Sequence, residues 1–271
     1  MWRWRTIKKQ RRLFFARSYS LRKIVAVISA AAVILLAVLL LLAKGDALPT
    51  QLPFTRERLV PIYYVDTAEK KVAFSFDACW GAAQTPSILE TLRENEMKTT
   101  FFLTGFWVEK HPEMVKKIHE EGHEIGNHTY THPHLNNLTE EQIQTELERV
   151  GNMILELTGE QPDLFRPPFG EYSNKVIRAA KACGYRTIQW SIDSLDWKEM
   201  GLESMVKRVT ENLHPGAIVL FHNNGKHTAE ALPEIIAYTF EQGYTIVPIS
   251  ELLYKDNYIV DSNTGAQILE E

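Results

Sequence analysis

His128-Thr-Tyr-Thr-His132 sets two imidazoles four residues apart, directly after a short strand. Neutral imidazole is a common ligand for zinc-like metals, and two at this spacing can meet one divalent cation. By itself such a pair also fits a surface or capping role. Asp77 ends the strand Val72-Ala73-Phe74-Ser75-Phe76, where a carboxylate serves either as a helix cap or as a proton acceptor. Arg166 precedes Pro167-Pro168-Phe169-Gly170. Prolines stiffen that loop, so a fixed guanidinium could hold a catalytic carboxylate; standing alone it would be a surface cation. Asp193 and Asp196 lie beside Trp190 and Trp197, pairing acids with flat apolar surfaces of the kind on which sugar rings pack. His222 follows Ile218-Val219-Leu220-Phe221 and reads as a general acid or as a satisfied core imidazole.

A second histidine pair competes with the first. His119-Glu120-Glu121-Gly122-His123 matches the metalloprotease pattern H-E-x-x-H. That chemistry needs both rings on one face of an unbroken helix. Gly122 stands where the helix should stop, so His123 is expected to leave the face and the protease reading is rejected. His134 is read as a bystander, because Pro133 redirects the chain.

The elements that must position these residues alternate. Strand-like runs at Val72–Phe76, Thr99–Leu103, Glu124–Asn127, Leu164–Arg166, Tyr185–Trp190, Ala217–Phe221 and Thr245–Val247 are separated by helical patterns. The helices are expected near Ser87–Leu92, Pro112–Glu121, Thr139–Thr158 and Ala229–Gln242, with a further one capped by Ser173. Thr139 with Gln142 three residues on is a capping box, and Pro112 suits a first turn. This pattern predicts a parallel α/β fold, barrel or open sheet. Asp77, His128, His132, Arg166, Asp193 and His222 all fall just past a strand's C-terminal end. In parallel folds those ends share one face, where sites are built.

The N-terminus is different in kind. Nine Lys and Arg occupy the first 23 residues without an acid, and Ile24–Ala43 then runs uncharged. Twenty residues at about 1.5 Å each match a hydrocarbon core of about 30 Å. Basic residues before the span predict a cytoplasmic N-terminus and an exported remainder. The stretch is read as an uncleaved single-pass anchor in the cell membrane, with cleavage near Gly45-Asp46-Ala47 as the alternative. All 34 acids follow residue 45 with 20 of the 30 basic residues, a balance of −14 that speaks against a nucleic-acid partner. Cys79 and Cys183 form no disulfide framework and read as small apolar residues, with pairing left open.

Together the motifs resemble the polysaccharide deacetylase family, also called the NodB-homology or carbohydrate esterase 4 family. Ser75-Phe76-Asp77-Ala78, His128 to His132, Arg166-Pro-Pro-Phe-Gly170, Asp193-Ser-Leu-Asp-Trp197 and Leu220-Phe-His222 match its five motifs in order. Within the family, Trp80-Gly81 and His222-Asn223-Asn224 resemble PdaB-like deacetylases of spore-forming bacteria. The resemblance implies a distorted (β/α)7 barrel over residues 71–255, after a basic cytoplasmic tail (1–23), anchor (24–43) and linker (44–70), and before a tail (256–271). It implies hydrolytic removal of N-acetyl groups from a cell-wall polysaccharide, peptidoglycan or chitin-like. Asp77 would be the base and His222 the acid, with Arg166 orienting Asp77 and Asp193 supporting Arg166. His128 and His132 would hold a divalent metal, Zn2+ or else Co2+ or Ni2+. The backbone near Phe169 would stabilise the oxyanion, and Trp197 and Leu220 would line the sugar groove. The family's second motif-one aspartate, a metal ligand, is Ala78 here. The implied ligand set is therefore incomplete, and the alternative is a weak or inactive glycan-binding protein on the same scaffold.

Overall fold

The structure is a computed structural model that describes residue 23 and residues 25–39, 58–198 and 200–270. Two units emerge, residues 1–57 and 58–271.

In the first unit, residues 25–39 form helix α1, whose side chains are exposed. No helix among the described residues is long and apolar enough to cross a membrane. The expectation of a spanning helix over 24–43 therefore finds no support among the described residues. Its ends, residues 24 and 40–43, and most of the basic tail lie outside the described residues.

The second unit begins with β1 (Tyr64–Val65), β2 (Lys71–Ala78), α2 (Thr85–Glu94), β3 (Thr100–Leu103), α3 (Gly105–Lys110), α4 (Pro112–Glu120) and β4 (Glu124–Asn127). It continues with α5 (Glu140–Thr158), β5 (Leu164–Phe165), α6 (Asn174–Ala182), β6 (Arg186–Thr187), β7 (Ile192–Asp193), α7 (Leu202–Thr210) and β8 (Ile218–His222). The chain closes with α8 (Thr228–Glu241), β9 (Thr245–Ile246), α9 (Ile249–Leu252), β10 (Tyr258–Val260) and β11 (Ala266–Leu269). The main sheet runs β6-β5-β4-β3-β2-β8-β7 with β9 also on β2, and every pairing in it is parallel. This is the α/β architecture of a distorted barrel.

Central β2 is buried along nearly its whole length, as a strand covered on both faces must be. Phe76 stacks between Phe101 and Phe221 at centroid distances of 4.9 and 5.4 Å, joining β2, β3 and β8. Phe74, Phe76 and Ala78 belong to the apolar layer beneath the helices, while Asp77 alternates to the other face. Register then fixes chemistry: Asp77 lies beside His222 of β8.

Helix ends follow the local signals. Thr139 and Gln142 form the capping box at the start of α5, which ends at Gly159 in the left-handed region, φ 79°. Ser173 precedes α6 but makes no capping hydrogen bond with its side chain.

The expected linker and C-terminal tail are partly built into this unit. β1 pairs in parallel with β11, and β10 pairs antiparallel with β11. Ile62 also bridges to Ile188 and Tyr64 to Ala217. The chain before β2 thus supplies hydrogen bonds to both β6's continuation and the start of β8. Neither segment has the run of alternating residues that marks a strand in isolation, which is why sequence pattern passed over them.

Candidate active site

The ends of five strands, β2, β4, β5, β7 and β8, bring the chemistry together. Asp77 and Ser75 occupy alternate positions of β2, so both carboxylate and hydroxyl face the same side. Arg166, fully buried just past β5, reaches both: Nη1 donates to Asp77 Oδ1 at 2.7 Å and Nη2 to Ser75 Oγ at 2.8 Å. Nη2 also donates to the Gln189 carbonyl at 3.2 Å, and the guanidinium packs on the Phe102 ring, 4.2 Å from its centroid. A cation buried so deeply is tolerable only with such partners. Burial alone would push the Asp77 carboxyl up; Arg166, then His128 and His222, outweigh it and hold it below the usual carboxylate range.

The histidine loop is held from behind. Asn127, fully buried, donates to the Leu147 carbonyl and Tyr185 Oη, and its Oδ1 accepts the Thr129 N–H at 2.9 Å. Thr129 Oγ1 in turn accepts the His132 N–H. Thr129 and His132 both adopt left-handed backbone, φ 67° and 54°, as does Phe169 at 59° and Leu195 at 55°. Among the described residues, four of the six non-glycine residues with positive φ therefore flank this one site, where strain is retained because the surroundings over-determine it.

The two rings meet edge to face, 4.9 Å between centroids. His128 Nδ1 lies 2.7 Å from the Arg166 carbonyl, an acceptor that fixes the proton on Nδ1 and leaves the Nε2 lone pair free. Nε2 lies 3.5 Å from Asp77 Oδ2. Burial pushes the pKa of His128 down, and burial with the neighbouring His128 takes His132 to about 3. Both imidazoles are therefore neutral, the form that binds a metal. Cys79 Sγ completes a set of three donor atoms with His128 and His132, all within 4.8 Å of one another. Burial and the Asp77 charge raise the Cys79 thiol well above its usual value.

Opposite stands His222, the last residue of β8. Its Nδ1 is 2.7 Å from Asp196 Oδ1, while Asp196 Oδ2 accepts the His222 N–H and the Thr228 hydroxyl, each at 2.7 Å. Burial opposes the charged imidazole, but Asp196 prevails and raises its pKa. Gly225 is needed here, since a Cβ on it would sit 2.7 Å from Asp196 Oδ2.

Asp196, which the D-x-x-D spacing offered beside Asp193, is thus the acid that grips His222, a role sequence reasoning did not assign. Asp193 lines the same hollow, but its Oδ1 accepts the Leu195 N–H at 2.8 Å and it acts on Arg166 only as a nearby charge. The guanidinium's direct partners are Asp77, Ser75 and Gln189. Asn127 and Cys79 were also missed. The polar residue ending β4, and the i, i+2 step from Asp77 to Cys79, were the available signals.

These groups line a hollow of about 590 Å3, with Trp80, Phe169, Trp190, Trp197 and Leu220 among its walls. Trp80, Phe169 and Trp197 are each more than half exposed, presenting flat apolar rings at its edge. His134 lies outside the donor set, stacked on Phe169 with its ring against Glu171. His119 and His123 do not join it either. The helix α4 stops at Glu120, and Gly122 at φ 79° turns the chain before His123.

Comparison with known proteins shows the family of the chain. The model of the family described as polysaccharide deacetylase matches residues 64–188. The peptidoglycan-N-acetylmuramic acid deacetylase PdaA of Bacillus subtilis is 36% identical over 209 residues, 76% of this chain and 80% of that protein. A peptidoglycan-N-acetylglucosamine deacetylase of Bacillus cereus is 39% identical over 207 residues, 73% of this chain and 97% of its own. The crystal structure of a CE4 family pseudoenzyme from Bacillus anthracis is also similar, at TM-score 0.70 and 37% identity over 72% of this chain and 69% of that one. The chain belongs to the polysaccharide deacetylase family, and its enzyme class is that of polysaccharide N-deacetylases, hydrolases of linear amides.

Proposed function

We propose that the chain is a metal-dependent hydrolase that removes N-acetyl groups from cell-wall peptidoglycan. The observation that carries this reading is the Asp77 carboxylate, pinned by Arg166 at 2.7 Å and 3.5 Å from an imidazole whose other nitrogen is already committed. A divalent cation held by His128 and His132 would polarise the N-acetyl carbonyl and acidify water.

The chain's own residues supply the rest. Asp77, kept ionised, takes a proton from the attacking water as its oxygen bonds to the carbonyl carbon. Phe169, with its left-handed backbone, stands at the edge where an N–H can face the developing oxyanion. His222, whose protonated form Asp196 favours, gives its proton to the departing amine as the C–N bond breaks, leaving acetate and a free amino sugar. Asp77 low and His222 high is the pairing of base and acid that this reaction needs. The exposed faces of Trp80 and Trp197 would pack against sugar rings.

The test is acetate release from peptidoglycan or N-acetylated chitooligosaccharide by the full chain with Zn2+, Co2+ or Ni2+. Release well above that of Asp77→Asn is expected; release equal to it with every metal would end the proposal.

A second reading has a specific observation behind it. Ala78 replaces a carboxylate ligand and lies buried in the apolar layer, and one similar structure is a pseudoenzyme. A non-catalytic glycan-binding protein would retain peptidoglycan in a pull-down without releasing acetate. The retained Asp77 and His222 favour turnover, because binding alone needs neither. We also propose, on the uncharged run Ile24–Ala43 after nine basic residues, that the chain is anchored in the membrane with its enzyme unit outside the cytoplasm. Release from membranes by alkaline carbonate would contradict that. The PdaB-like motifs suggest work during sporulation, to be read from the timing of expression.

A further inference from the structure

We propose that Cys79 is the third protein ligand of the metal centre, taking the place left by Ala78 and making the donor set one sulfur and two imidazole nitrogens. This rests on the reading that the site holds a metal. It alters the expectation of an incomplete ligand set.

Chain direction makes the substitution intelligible. Ala78 sits with Phe76 in the apolar layer under the helices, fully buried. Cys79, two residues on from Asp77, lines the same hollow as Asp77 and is only 4% exposed. The thiol meets His128 and His132 with all three donor atoms within 4.8 Å of one another, the one such group among the described residues. Zinc–sulfur and zinc–nitrogen bonds of about 2.3 and 2.1 Å put tetrahedral donors about 3.5 Å apart. Drawing the widest pair together by about 1 Å is within reach of three side chains on short loops. His128 needs no reorientation, since its Nδ1 is fixed on the Arg166 carbonyl.

Ligation is balanced simply. The S–H bond breaks, its proton passes to solvent, and the sulfur electron pair forms the metal bond. A sulfur in place of a carboxylate softens the site, so Zn2+ and Co2+ should be favoured strongly over Mg2+ or Mn2+. Three protein ligands leave a coordination position open, the arrangement of catalytic zinc sites.

The experiment loads metal-free full-length protein with Co2+ and records its absorption spectrum. One Co2+ per chain with a thiolate-to-cobalt charge-transfer band in the near ultraviolet is expected. Cys79→Ser should lose that band and weaken Zn2+ binding by at least about 10-fold, the lower figure for losing even an outer partner of a ligand. Cys79→Asp should recover binding without the band, which guards against a folding artefact in the serine variant. One Co2+ per chain with no thiolate band, or a band that persists in Cys79→Ser, would overturn the assignment while leaving the deacetylase reading intact. No bound metal would overturn it too. Acetate release compared with Asp77→Asn judges the deacetylase reading separately.

Discussion

The molecule carries two histidine pairs at the same spacing, one on each side of β4. His119 and His123 lie before the strand, His128 and His132 after it. The first pair even matches a named zinc motif, yet only the second is organised. His123 Nδ1 accepts the Thr99 N–H at 3.3 Å, its Nε2 has no hydrogen-bond partner and only Glu121 Oε2 at 4.0 Å, and burial brings its pKa to about 4. His119 Nδ1 is 3.9 Å from Glu160, across a separate hollow of about 430 Å3. Around the second pair stand Asp77, Arg166, Cys79 and, opposite, the His222–Asp196 couple. Spacing therefore nominates a site, while the strand end decides it. Residues leaving the C-terminal edge of a parallel sheet converge with those of its neighbours; residues entering the opposite edge meet helix ends.

Breaking the productive side should have the largest effect. Asp77→Asn keeps an oxygen for Arg166 to bond but abolishes the base, so kcat should fall about 10²- to 10⁴-fold with metal content unchanged. Arg166→Ala leaves a buried carboxylate unpaired. Thermal unfolding should show a loss of about 3–5 kcal/mol, large for a single site. Asp196→Asn should lower kcat about tenfold or more, as when an orienting partner of an imidazole is lost. It should also shift the pH profile. His222 must be protonated to act and Asp196 raises its pKa, so activity falls as pH rises through that value. Without the carboxylate the alkaline limb should move to lower pH; an unmoved limb would refute the acid role. Trp197→Ala should raise KM about 2- to 10-fold with little change in kcat. On the other side of β4, His119→Ala should leave turnover unchanged. His123→Ala should cost only stability, about 1–3 kcal/mol.

How much of this was legible depended on what each residue answers to. Asp77, Arg166 and His222 were visible because each follows an apolar run, and His128 and His132 because they are paired just past a short strand; parallel strands put such ends together. Helix bounds were visible where caps are chemical, as at Thr139 and Gln142. The β1–β11–β10 sheet was not, because its strands are short and β1 depends on a pairing partner about 200 residues away in sequence. Asp196 and Asp193 could not be told apart by type. Only the left-handed turn at Leu195 and the clearance at Gly225 turn one toward His222 and the other toward the backbone. Cys79 was read as a core residue because burial and metal ligation leave the same mark on a sequence.

Crystals soaked in Zn2+ and measured at the zinc absorption edge would test the central claim most directly. The account predicts an anomalous peak in contact with both His128 and His132, beside the Asp77 carboxylate. A peak at His119 and His123, or at neither pair under saturating zinc, would contradict it.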